Sequence, residues 1–181
     1  YEAAGIDPEA PTGPEYHRTE FENYQPPTPV DVIVACTSLH HVADLDVVLG
    51  HVAAGLVSAG TLIVVEWAWE LFDEPTAQWC FERLPAPDAN SHPNWLHVQR
   101  DHWLASGQSW PDYRAAWAAE ESLHTVGAIQ TALGAKFATS EWSPAAYFFA
   151  DLDGITEADE RAAIRAGRIQ ATGIRYVGTL R

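Results

Sequence analysis

Apolar positions along the chain follow more than one period. Val30 to Cys36, VDVIVAC, is β-branched and almost continuously apolar, the pattern of a central strand covered on both faces. From Asp44 onward Leu45, Val48, Leu49, Val52 and Leu56 return every three or four residues. That spacing predicts a helix with Asp44 as its N-cap and Gly60 as a left-handed stop. TLIVVEW, Thr61 to Trp67, then reads as a second buried strand. A strand, a helix and a strand with short connections form a right-handed crossover, which makes the sheet mostly parallel and the fold class α/β.

The flanking segments fit the same scheme. YEAAGIDP opens as a short strand that Asp7-Pro8 must end, because proline has no N–H for a ladder and restricts the residue before it. The proline-rich run after it leaves room for one short strand near Tyr16 to Glu20. DEPTAQWCFERL reads as a helix capped by Asp73, and PDANSHPNWLHVQRDHWLASGQSW as irregular. Residues 71 to 110 together exceed an ordinary connection and suggest an insertion over a pocket. A long helix is predicted from about Tyr113 to Ala135, extended segments at Phe137 to Trp142 and Tyr147 to Leu152, a helix from the Thr156/Asp159 capping box to Gly167, and a closing strand in ATGIRYVGTL.

Composition narrows the chemistry. The 181 residues, 47% hydrophobic, suffice for one domain, and no apolar run approaches the ~20 residues of a membrane span. The expectation is a soluble cytoplasmic protein. Acidic residues outnumber basic ones 25 to 10, a formal charge of -15, which repels a phosphate backbone and favours a small-molecule partner over nucleic acid or membrane. Cys36 and Cys80 are too few for a disulfide framework and lack metal-ligand spacing. The chain starts at Tyr1 and holds no methionine, and it reads as part of a longer product.

In an open parallel sheet, ligands bind beyond the carboxyl ends of the strands. Asp7, the CTSLHH turn and Glu66 all fall at that edge. The quoted segments resemble the class I S-adenosylmethionine-dependent methyltransferases, in particular their bacterial small-molecule branch. GIDP is similar to the end of the family's second strand, VDVIVACTSLHHV to its fourth strand and the turn after it, LVSAGTLIVVEW to the L-x-x-G-G-x-L start of its fifth, and IRAGRIQATGIRYVG to its C-terminal end.

The resemblance implies a Rossmann-like fold, a mostly parallel sheet with helices on both faces, an antiparallel C-terminal strand and a helical insertion after the fifth strand. It implies S-adenosylmethionine as cofactor, with Asp7 accepting from the ribose hydroxyls, Glu20 and Phe21 flanking the adenine, and Cys36, Thr37 and Ser38 along the methionine end. His40 and His41 would face the acceptor as candidate bases, and Glu66, Trp69, Trp95 and Trp103 would line its pocket. Three positions depart from the family: no G-x-G occurs anywhere, Glu20 stands where aspartate is frequent, and Ala59 replaces the usual first glycine of L-x-x-G-G. The first strand and its glycine-rich turn are therefore expected to lie outside residues 1–181.

Each residue has a plainer alternative. Asp7 beside proline also makes a good turn former. His40 and His41 could cap or pack at a helix entrance. Glu66 could pair with an insertion residue or simply end its strand. The tryptophans could be core, since their rings bury large areas anywhere. His92, His97 and His102 lie five residues apart, which suits neither one helix face nor a loop ligand motif, and no metal is expected. At the level of function, the alternative to a small-molecule methyltransferase is a non-catalytic, methyltransferase-like subunit that completes its sheet with a partner. A nucleotide-dependent oxidoreductase ranks below both, because its glycine fingerprint is absent.

Overall fold

The computed structural model describes residues 3–86 and 94–181. Two short strands, β1 (Gly5–Ile6) and β2 (Tyr16–His17), pair in parallel. The main sheet holds β3 (Val30–Cys36), β4 (Leu56–Trp67), β5 (Phe137–Ala145) and β6 (Gly173–Leu180) in the order β3-β4-β6-β5. β3 and β4 are parallel, and β6 is antiparallel to both β4 and β5. Three strands thus share one direction and the C-terminal strand alone opposes them, as expected for the mixed α/β class.

The crossover helix α1 (Leu45–Gly55) starts where the sequence places it, with Asp44 Oδ1 accepting from the N–H groups of Asp46 and Val47. It stops earlier than expected. Leu56 already pairs with Val30, Thr61 is the next residue to pair, opposite Val32, and residues 57–60 loop out of the ladder. The left-handed position is Ala59, with φ 60°, and not Gly60. A Cβ on Gly60 would stand 2.9 Å from the Val57 carbonyl oxygen, so that glycine answers to close backbone approach.

Leu45, Val48, Leu49 and Val52 of α1 meet Leu62 and Val64 of β4, Ile129 and Leu133 of α5 (Val126–Lys136), and Tyr176 of β6 in one core. The face of β3 opposite this core is different. Val32 and Val34 are 47% and 57% exposed. β3 pairs only with β4 among the described residues, so the apolar run that reads as a central, doubly covered strand is here an edge strand with one face open.

A second core gathers at the carboxyl end of β4: Trp67 and Phe72 with α2 (Glu74–Phe81), α3 (Trp95–Ser106), α4 (Trp110–Glu120) and the 3₁₀ turn Phe148–Ala150. Asp73 caps α2 by accepting from the Thr76 N–H at 2.9 Å. The stretch expected to be irregular contains twelve-residue α3, started by Asn94, whose Oδ1 accepts from the Leu96 N–H at 2.9 Å. The Asn90-Ser91 part of that expectation, and His92, lie outside the described residues.

The single long helix expected over 113–135 is two helices. Ser122 takes φ 55°, Leu123 turns inward, and Thr125 caps α5. The Thr156/Asp159 capping box does open α6 (Glu157–Arg165). No described helix is long and apolar enough to cross a membrane.

Candidate active site

β3 and β4 end side by side, Cys36 opposite Val65. Just past β3 the chain must leave the sheet plane, and Thr37 does this with φ 48° while its N–H still donates to the Val65 carbonyl at 2.7 Å. A β-branched residue in the left-handed region is a real outlier, and such strain persists only where neighbours enforce it. The enforcement comes from Glu66.

Glu66 is 1% exposed. Its Oε2 accepts from the Leu39 N–H at 2.8 Å, and its Oε1 accepts from the Trp67 N–H at 2.7 Å and from Nδ1–H of His40. A carboxylate accepts only, and its burial is tolerable because both oxygens have donors. The ring of His40, 3% exposed, is thereby fixed in orientation by its Nδ1–H bond to Glu66. The far side of the turn is clamped by His124: its N–H donates to the His40 carbonyl at 2.9 Å and its Nε2–H to the Val42 carbonyl at 2.8 Å. Trp69 Nε1–H donates to the His124 carbonyl at 3.1 Å and fixes that residue in turn.

His41 is exposed, and its ring lies 4.2 Å from that of His40, centroid to centroid. Partial burial and the neighbouring His40 push its pKa below the ordinary 6.5, against the opposing pull of Glu121 and Glu66. The shift favours the neutral imidazole, the form that can accept a proton.

Trp67 is the hub of an aromatic cluster beside this turn. Its indole lies 5.8 Å edge-on from His40, 5.3 Å from Trp95, 5.6 Å from Trp117, and 5.8 Å from Tyr147 in a stacked arrangement. Trp67 itself is buried, whereas Trp95, Trp117 and Tyr147 are half-buried. Burial, and after it the charges of Glu66 and Asp151, raise the Tyr147 hydroxyl's pKa, so it stays protonated. Burial also raises the pKa of Asp151, with a hydrogen bond to Trp95 opposing.

The expected site residues divide among three places. Cys36, Thr37, Ser38, His40, His41 and Glu66 meet at the end of β3 and β4. Glu66 has both oxygens engaged by the protein, so its direct partner is His40 and not an outside molecule. Trp95 faces Trp67, while Trp69 serves the His124 clamp. Trp103 packs away from the turn, 5.2 Å from Trp110 and 6.0 Å from Phe81, with Nε1–H donating to the Gln108 carbonyl at 3.0 Å.

Asp7, Glu20 and Phe21 lie on the N-terminal segment. Asp7 Oδ1 accepts from the Glu9 N–H at 2.7 Å, Glu20 Oε2 accepts from Asn23 Nδ2–H at 3.3 Å, and Phe21 packs against the α1 core. His124, Trp117 and Tyr147 escaped the sequence reading. They come from separate elements, and only the closing strand order brings them to β4.

No protein-family model matches the sequence, and no curated protein does. Solved structures do match. A protein from Listeria monocytogenes assigned as an S-adenosylmethionine-dependent methyltransferase superposes with a TM-score of 0.51 over 99% of this chain and 81% of its own, at 15% identity. The fold is that of the class I S-adenosylmethionine-dependent methyltransferases. An S-adenosylmethionine-dependent methyltransferase from Mesorhizobium loti matches at TM-score 0.48 and 17% identity, over 91% of this chain and 68% of its own. The N-methyltransferase NodS from Bradyrhizobium japonicum, solved with S-adenosylhomocysteine, matches at 0.46 and 10% identity, over 92% of this chain and 54% of its own. The chain therefore spans about half to four fifths of the proteins it resembles.

Proposed function

We propose that the chain is the larger part of a cytoplasmic enzyme that moves the methyl group of S-adenosylmethionine to a small organic acceptor. The observation that carries this reading is the strained Thr37–His41 turn, held by buried Glu66 at the carboxyl ends of two parallel strands, with His41 open to solvent. Bound there, S-adenosylmethionine supplies an electrophilic methyl on a sulfonium. The residues suit it: Asp7 Oδ2 has no partner among the described residues, since the one hydrogen bond its carboxylate accepts falls on Oδ1, and ribose hydroxyls require such an acceptor. Phe21 offers an apolar ring for the adenine beside Glu20. Cys36, Thr37 and Ser38 border the methionine end.

Methyl transfer is an in-line displacement, and much of its acceleration comes from alignment. Glu66 and His124 hold the turn rigid, His40 carries the ring of His41 against its own, and His41 takes the acceptor's proton where one must leave. Trp95, Trp117 and Tyr147 form the wall on which the acceptor lies, and α3, inside the 71–110 insertion, closes over it and excludes water.

We also propose that one further βα unit with a glycine-rich turn completes the domain, because β1 and β3 each pair with a single strand among the described residues and Val32 and Val34 are exposed. The same open edge supports a second reading, a non-catalytic subunit that borrows this strand from a partner chain.

The test is transfer of an isotopically labelled methyl group by the full-length protein to a panel of small amines, alcohols and acids. His41→Gln should lower kcat by about a hundredfold while S-adenosylhomocysteine affinity stays within about twofold. Binding of S-adenosylhomocysteine without transfer to any acceptor would favour the subunit reading.

A further inference from the structure

We infer that the cluster of Trp67, Trp95, Trp117 and Tyr147 is a recognition site for a cationic amine, so that the methyl acceptor is a nitrogen carried on an apolar or aromatic body. This deepens the methyltransferase reading and rests on it for the transfer step, although the binding step stands by itself.

Three observations converge. First, three of the four rings are half-buried, with Trp67 as the buried floor that all of them meet within 6 Å: 5.3 Å for Trp95, 5.6 Å for Trp117 and 5.8 Å for Tyr147. Faces of tryptophan and tyrosine attract ammonium groups, and several around one spot add. Second, the charged groups acting on Tyr147 are Glu66 and Asp151, and those acting on His41 are His40, Glu121 and Glu66. No lysine or arginine is among them. Arg114 lies 6.0 Å over Trp69 and donates to the Phe72 carbonyl at 3.0 Å, so it is engaged elsewhere. A phosphorylated or carboxylic acceptor would enter this field against three carboxylates, while an ammonium would be drawn in. Third, His41 adjoins the cluster through His40, whose ring lies 4.2 Å from His41 and 5.8 Å from Trp67. The His41 imidazole thus stands one ring removed from the cluster where an ammonium would rest.

The chemistry balances. The acceptor binds as an ammonium, one N–H bond breaks and its proton passes to the His41 ring, and the freed lone pair forms the N–C bond as the C–S bond breaks with its pair going to sulfur. The positive charge moves from sulfur to nitrogen and no other reactant is consumed.

The experiment is an NMR titration of the full-length protein, reading the indole N–H signals of its eight tryptophans, with three probes of one shape: phenethylammonium, 2-phenylethanol and phenylacetate. Separate calorimetry with S-adenosylhomocysteine follows the cofactor. The expected result is that phenethylammonium binds at least about tenfold tighter than the alcohol, that phenylacetate binds most weakly, and that the same three indole signals move. Trp117→Leu should weaken the ammonium roughly 2- to 30-fold, the range of a cation–π contact. Asp151→Asn, which keeps an acceptor for Trp95, should cut the ammonium-to-alcohol preference and leave the alcohol unchanged. If Trp117→Leu fails to fold, Trp117→Phe and Asp151→Asn decide by the same ratio. Equal or tighter binding of phenylacetate, or an ammonium preference indifferent to both substitutions, overturns the inference. Ammonium selectivity with no S-adenosylhomocysteine binding would keep the amine site and overturn the methyltransferase reading. Cofactor binding with no amine selectivity would do the reverse.

Discussion

Glu66 organises the candidate site, and its replacement by glutamine is a sharp test of that role. The carboxylate receives three donors, the N–H groups of Leu39 and Trp67 and Nδ1–H of His40, in a position 1% exposed. Glutamine has the same shape but one oxygen, so its NH₂ must face donors. The less costly orientation turns it toward Leu39, leaving one buried N–H unsatisfied at about 1–3 kcal/mol. The two bonds that survive lose their charge assistance, roughly 1 kcal/mol each, while relief from burying a carboxylate offsets part of the sum. The expected net loss is about 2 kcal/mol, or a fall in Tm of roughly 4–8 °C for a chain of this size. Glu66→Leu strands all three donors and should cost more, about 3–5 kcal/mol. Urea unfolding followed by tryptophan fluorescence, with the slope unchanged, measures both. A Glu66→Gln loss below about 0.5 kcal/mol, with Glu66→Leu no worse, would refute the claim that this carboxylate holds the turn.

Other sites yield expectations of different kinds. Ala59→Gly should stabilise the fold by about 0.5–1 kcal/mol, because an alanine at φ 60° carries left-handed strain of about 1–2 kcal/mol that exceeds the extra entropy glycine loses on folding; destabilisation in urea titration would contradict it. Gly173→Ala should destabilise by about 1–3 kcal/mol, since its Cβ would stand 2.8 Å from the Ala146 carbonyl oxygen and 2.9 Å from that of Ala145. The unfolded chain binds a proton at His41 more readily than the folded one, so wild-type stability should rise with pH from the lowered pKa up to about 6.5, and His41→Asn should flatten that rise; an unchanged slope would place His41 in ordinary solvent.

The crossover unit was legible because each of its signals is local: the β-branched run, the three-and-four spacing and the Asp44 cap all act within a few residues. The left-handed position near residue 60 was misplaced by one, because glycine there serves a close backbone approach while the alanine before it bears the strain. The broken α4/α5 pair looked continuous since Leu123 keeps the apolar spacing across the Ser122 break. At the site, His40, His41 and Glu66 could be placed on the correct edge from strand order alone. That Glu66 faces inward to His40, and that Trp103 turns away while Trp117 and Tyr147 turn in, depends on packing between elements 26 to 80 residues apart, which no local pattern encodes.

The central claim is that this fold holds S-adenosylmethionine at the carboxyl edge of its sheet, and calorimetric titration of the full-length protein with S-adenosylhomocysteine tests it most directly. The account predicts one site per chain, and an affinity that Asp7→Ala lowers by about 1.5–3 kcal/mol, roughly 10- to 150-fold, because the ribose hydroxyls lose a charged acceptor. A folded wild-type protein that takes up no S-adenosylhomocysteine, or an Asp7→Ala variant that binds it as tightly as the wild type, would contradict it.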